Sequence, residues 1–145
     1  MTIHVPRFPE YIRENYPAQG RLFGDFLCGL WSTACEALEV PVERSEVEHA
    51  WHLYVLRLHS ERLAITRDQF IEELTQRNIA TSVHFIPVHL HPYYRDKYQL
   101  LPDRFPVAVD NFSRMLSLPL NARMSDDDVL DVIDAVLDVV RIHQR

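Results

Sequence analysis

Glycine and lysine are the scarcest residues of consequence in this chain. Its 145 residues hold three glycines, Gly20, Gly24 and Gly29. After residue 29 a Gly-rich phosphate cradle, a dinucleotide-binding turn or a G-x-S-x-G nucleophile elbow has nowhere to form. Lys97 is the single lysine among fifteen basic residues, and so the only side chain able to form a Schiff base with a carbonyl cofactor. Its setting, YYRDKYQLL, is polar and holds Arg95 and Asp96. That is not the desolvated pocket that activates a catalytic lysine, and it reads as a surface residue. Arginine supplies the rest of the positive charge; guanidinium forks suit phosphate, but nucleotide bias in the source genome is the plainer account.

Other absences narrow the class further. The net charge of −6 weighs against nucleic acid, whose non-specific binding runs on basic surface. No apolar run approaches the roughly 20 residues that span a bilayer. The opening MTIHVPRFPEYIRENYP lacks the apolar region of a secretory signal, so the chain is expected to be soluble and cytoplasmic, without a membrane partner. Cys28 and Cys35 are seven apart. On a helix that separates their α-carbons by about 10.5 Å along the axis, too far for a disulfide, and they read as buried thiols.

What remains is globular. Hydrophobic residues make up 47% and charged residues 25%, enough for one domain with a real core. Residues 1–20, with Pro6, Pro9, Pro17 and Gly20, read as an extended arm. Leu22, Phe23, Phe26, Leu27, Leu30, Trp31, Ala34, Cys35 and Leu38 then form two adjacent rows at spacing four, which predicts an apolar helix over 21–38. So broad a face needs cover from the chain or from a partner, and a homodimer through this helix is one expectation.

Beyond Pro41 the pattern alternates between strand and helix. HAWHLYVLRL (49–58) predicts a strand covered on both faces. Thr66 and Gln69 form a capping-box pair opening a helix with Phe70, Ile71 and Leu74 inward and Asn78 as terminator. Residues 79–86 alternate as a strand does. Pro87 and Pro92 bound a stiff loop carrying His89 and His91. A helix over 107–115 leads into the short strand MLSLPL, ended by Pro119. The last helix is the plainest: Ser125 caps it, three aspartates fill its first turn, Val129, Val132, Ile133, Val136 and Val140 share a face, and Arg141 and His143 close it. The expected fold is α+β, a small antiparallel sheet of about three short strands with helices packed on it, preceded by the N-terminal apolar helix.

No self-contained catalytic set emerges. His49 and His52 would point to opposite faces of a strand. His84, His89 and His91 could converge, but no cysteine or acidic residue at ligand spacing accompanies them, so no metal is expected. The run Asp126, Asp127, Asp128, Asp131, Asp134 lacks the glycine and closing glutamate of a calcium loop and is explained by helix capping.

Three stretches nonetheless stand in a familiar order. His52 and Tyr54, then His84, Phe85, Pro87 and His89, then Ser117 to Leu120 resemble the His-x-Tyr, His-Tyr-x-Pro-x-His and Ser-Leu-Pro-Leu motifs in the C-terminal domain of the DegT/DnrJ/StrS-type sugar aminotransferases. The resemblance runs from about Val40 to Arg141. It divides the chain into an N-terminal arm and apolar helix (1–39) and an aminotransferase-like C-terminal domain (40–145). It implies the small domain of a pyridoxal phosphate (PLP)-dependent transaminase that moves an amino group from an amino acid to a keto-sugar nucleotide, in polysaccharide or sugar biosynthesis. The family's cofactor lysine, the acid facing its pyridine nitrogen and its phosphate loop belong to the large domain, and Lys97 does not match that lysine. The chain alone is therefore expected to be inactive, with no cofactor and no catalytic residue of its own. His84 and His89 are the expected substrate-binding residues. Phe85 stands where the family commonly has tyrosine. A separate large domain and a sugar nucleotide are the other expected partners, with the chain acting as a subunit, a regulator or a sugar-nucleotide binding module.

Overall fold

The computed structural model of the protein describes residues 36–42, 44–46, 52–121 and 123–145. The arm, most of the apolar helix expected over 21–38, and Cys28, Cys35 and His49 lie outside the described residues. Within them the order is β1 (Leu38–Glu39), β2 (Tyr54–Leu58), α1 (Arg67–Gln76), α2 (Pro92–Tyr98), α3 (Pro106–Arg114), β3 (Met115–Leu118) and α4 (Asp126–His143), with short 3-10 turns at Val88–Leu90 and Pro102–Arg104.

The three strands form one antiparallel sheet in the order β1-β2-β3, as the α+β reading expects. Leu38 faces Leu58, and Tyr54, Val55, Leu56 and Arg57 face Leu118, Ser117, Leu116 and Met115. Strand alternation sends Tyr54, Leu56 and Leu58 of β2 and Leu116 and Leu118 of β3 into the core. They meet Phe70 and Leu74 of α1 and Val132, Ile133, Val136, Val139 and Val140 of α4 in a single apolar cluster. Each fully buried side chain of this size contributes roughly 1.5–3 kcal/mol. Val55 and Arg57 are only half-buried. The expectation that β2 is covered on both faces is therefore corrected: its second face is partly open and carries Arg57.

Local chemistry sets the helix ends. Thr66 and Gln69 bond reciprocally, with Gln69 N–H donating to Thr66 Oγ1 at 3.3 Å and Thr66 N–H to Gln69 Oε1 at 2.9 Å. At the other end of α1, Ile79 N–H donates to Leu74 C=O at 2.9 Å and Asn78 N–H to Thr75 C=O at 3.0 Å, with Asn78 at φ 66°. This is a Schellman stop, and buried Ile79 against buried Leu74 supplies its usual apolar contact. Ser125 and Asp128 cap α4 in the same reciprocal way as the start of α1. Hydrogen bonds from the Ser125 side chain and backbone hold the Asp128 carboxyl below its ordinary range.

Two expectations fail for identifiable reasons. Residues 36–38 are turn and strand, not the end of a helix, because Leu38 and Glu39 are held as the outer strand by β2. The alternating stretch 79–86 touches the sheet at one point only, the Ser82–Ser117 bridge. In this antiparallel register the next bonded pairs would place Ala80 beside Pro119, which has no N–H, and His84 beside Met115, whose N–H is already given to Asn111 C=O. The Pro87–Pro92 loop holds only a 3-10 turn, and α2 begins at its end, where a proline is well placed at the first helical position.

Candidate functional site

Both expected site histidines lie on the connection between α1 and α2, and each is held by a residue distant in sequence. Ser117 lies on the side of β3 away from the core, under the 82–84 stretch, and is only 3% exposed. Its Oγ meets Nδ1 of His84 at 3.0 Å, and the His84 ring stands edge-on to Phe85 with centroids 4.9 Å apart. Phe85 is exposed.

His89 sits in the 3-10 turn after Pro87. It is 6% exposed, stacks on Phe105 with centroids 4.5 Å apart and planes 26° apart, and its Nε2 is buried without a hydrogen-bond partner. No hydrogen bond or ring contact joins His84 to His89 among the described residues, so the structure gives them separate supports within one segment. His91 and His52 are exposed. Among the described residues no group of three or more His, Cys, Asp or Glu side chains is placed to hold a metal ion.

Lys97 lies exposed on α2. Its Nζ donates to Tyr93 Oη at 2.7 Å and lies 5.0 Å and 5.5 Å from the ring centres of Tyr93 and Tyr98. The neighbouring Arg95 is engaged by Asp96 at 2.8 Å, and that hydrogen bond raises the Arg95 pKa. An amine so placed, beside an arginine already paired, does not fit a carbonyl cofactor with a phosphate.

A shallow depression of about 540 Å³ on the α1–α4 side is lined by Arg77, Asp134, Asp138 and Arg141 with Ala135 and Leu137. Arg77 there is bound by Glu73 at 2.6 Å and Asp138 at 3.0 Å. These bonds raise its pKa, and they account for it as a tie between the two helices.

Against this geometry, comparison with known proteins is decisive for ancestry. The model of the DegT/DnrJ/EryC1/StrS aminotransferase family matches residues 30–137. The chain belongs to that family. It is 50% identical over 138 residues to the protein MJ1066 of Methanocaldococcus jannaschii, covering 95% of this chain and 34% of that protein. It is 45% identical over 119 residues to the spore coat polysaccharide biosynthesis protein SpsC of Bacillus subtilis, covering 79% of this chain and 31% of that protein. Among solved structures it resembles Spr1654 of Streptococcus pneumoniae, a protein assigned as a sugar aminotransferase and solved in its PMP form. That match has a TM-score of 0.73 at 25% identity and covers 94% of this chain and 32% of that one. The chain thus spans about a third of the length of the aminotransferase-family relatives it matches. The likeness to MJ1066 also reaches well into residues 1–39, where the motifs themselves showed none.

The motif residues of this family member carry the histidines, and those were legible in the sequence. Ser117 and Phe105 were missed as their supports. Ser117 had one usable signal: it sits between Leu116 and Leu118, so alternation puts it on the face opposite the core. Phe105 had none.

No helix among the described residues is long and apolar enough to cross a membrane.

Proposed function

We propose that this chain is the small-domain part of a sugar-nucleotide aminotransferase, without transaminase activity by itself, in which His84 and His89 contact the substrate. One observation carries the reading. Nine of the eleven exposed large apolar side chains among the described residues fall between 85 and 107, a segment that starts next to His84 and contains His89. Monomeric surfaces rarely concentrate apolar side chains in this way. A segment that is both histidine-bearing and apolar suits a cleft wall closed by another body. The family relatives are about three times as long as this chain, which makes a PLP-binding large domain the fitting body.

The same observation favours a second reading, in which the large domain is a separate chain and this one is a subunit or regulator docked through the 85–107 face. The sugar-nucleotide binding module is the form the reading takes if His84 and His89 bind ligand unaided.

The test incubates the chain with PLP, reduces with borohydride and weighs the product, beside a transaminase assay with glutamate and a keto-sugar nucleotide. No stoichiometric adduct and no turnover are expected. An adduct on Lys97 accompanied by turnover overturns the proposal. Affinity capture from host lysate separates the readings: a chain bearing the cofactor lysine supports the subunit. Calorimetry with nucleotide sugars tests the module.

A further inference from the structure

Ser117 performs two separable tasks on the open face of the sheet. Its backbone exchanges hydrogen bonds with Ser82, N–H to Ser82 C=O at 2.7 Å and C=O from Ser82 N–H at 3.1 Å. Any residue but proline could make that bridge. Its hydroxyl, by contrast, is buried against one group, Nδ1 of His84 at 3.0 Å, two residues further along the bridged stretch. An unpartnered buried hydroxyl is costly, so the ring and the hydroxyl hold each other. The hydrogen bond made by one ring nitrogen decides whether the other carries the proton. A nucleotide sugar offers mostly acceptors, so the useful free end of this ring is a donor.

Resting on the substrate-side reading of His84, we propose that Ser117 is a positioning residue: its hydroxyl donates to His84 Nδ1, fixes the ring as the Nε2–H tautomer and presents that N–H to a phosphate or sugar oxygen of the substrate. Sequence separation hides the pair, and the Ser82 bridge brings it together.

The test uses the full chain labelled with ¹⁵N-histidine. At neutral pH the ring nitrogens of His84 are expected to report the Nε2–H tautomer in the wild type and in Ser117→Thr, which keeps the hydroxyl. Ser117→Val has the shape of threonine without the hydroxyl. It is expected to give averaged tautomer signals while the amide resonances of β3 stay in place, and Ser117→Ala repeats the result without the added bulk. UDP-N-acetylglucosamine titrated into the wild type is expected to shift the His84 ring signals, with affinity about tenfold weaker in Ser117→Val, or about 1.4 kcal/mol, and unchanged in Ser117→Thr. An Nδ1–H tautomer in the wild type, or a His84 spectrum indifferent to loss of the hydroxyl, overturns the proposal. Silence of the wild-type ring toward the nucleotide sugar removes unaided substrate binding by His84 instead, and with it the binding-module form of that reading. The two failures are distinguishable, because the tautomer signals decide Ser117 without ligand.

Discussion

Glu39 and Arg57 face each other across the β1–β2 pair and share a hydrogen-bonded ion pair. The Glu39 carboxylate also accepts from Arg114 at 2.9 Å, and Arg114 from α3 is held in turn by Asp110 at 2.9 Å. The four side chains therefore fasten the outermost strand and α3 to the open face of the sheet. β1 is two residues long, too short to persist on ladder bonds alone.

This network makes stability depend on pH in a defined direction. Burial works against ionisation of Glu39, but the hydrogen bonds and charges of Arg57 and Arg114 more than offset it and hold its carboxyl below the usual range. A depressed carboxylate stabilises the fold above its unfolded value, about 4.3, and that contribution is lost as pH falls through the lower folded value. Glu39→Gln is expected to lower stability at pH 7 by about 1 kcal/mol, the upper range for a pair this exposed. Urea denaturation at pH 7 and pH 3 checks it. The gap between wild type and variant should close in acid, and a gap that persists unchanged would show that the negative charge of Glu39 is not what stabilises the strand.

Asn78 gives a backbone prediction. Its φ of 66° lies in the left-handed region, which costs a side chain with a β-carbon roughly 1–2 kcal/mol and asparagine less. Asn78→Gly is expected to be neutral or slightly stabilising, and Asn78→Ala to destabilise by about 1 kcal/mol. Thermal melts of the two variants should bracket the wild type. The opposite order would mean that the Asn78 side chain, and not its conformation, ends α1.

These residues also show where the sequence could be read and where it could not. The two capping boxes and the α4 face are local: every partner lies within a turn, so Thr66 with Gln69 and Ser125 with Asp128 announce their helices. The Asn78 stop is local too. β1 is not, because Leu38 becomes a strand only by meeting Leu58. Residues 79–86 have strand alternation, yet the ladder stops where Pro119 lacks a donor and Met115 has spent its own. The proline is visible in the sequence, but its position opposite Ala80 is a fact of register. The site divides the same way. His84 and His89 were legible as residue types within motifs, whereas the hydroxyl behind one and the ring beneath the other come from 33 and 16 positions away.

Leu56 tests whether the small sheet is the structural centre. It is fully buried at the middle of β2, opposite Leu116. Leu56→Ala is expected to cost about 2–5 kcal/mol, a large share of what a domain of this size can spare. Chemical denaturation followed by circular dichroism measures it. A loss below about 1 kcal/mol would place the stabilising core elsewhere, in the α1–α4 contact alone.

The exposed face between 85 and 107 yields the prediction with most bearing on function. Val88 and Phe85 are 59% and 74% exposed, so a charge at either position meets water in the isolated chain, and surface changes of this kind usually move stability by no more than about 0.5 kcal/mol. At a buried interface the same charge is unpaired and costs several kcal/mol, a weakening of more than a hundredfold. Val88→Asp and Phe85→Asp should therefore leave the melting temperature nearly unchanged and abolish capture of a large-domain partner. Glu61→Lys, a change at an exposed site far from this segment in the chain, is the control expected to leave capture intact. Capture that survives both aspartates would move the interface off this segment and leave the chain around the two histidines outside it. A loss of melting temperature in both variants would instead show that the apolar segment packs against its own chain.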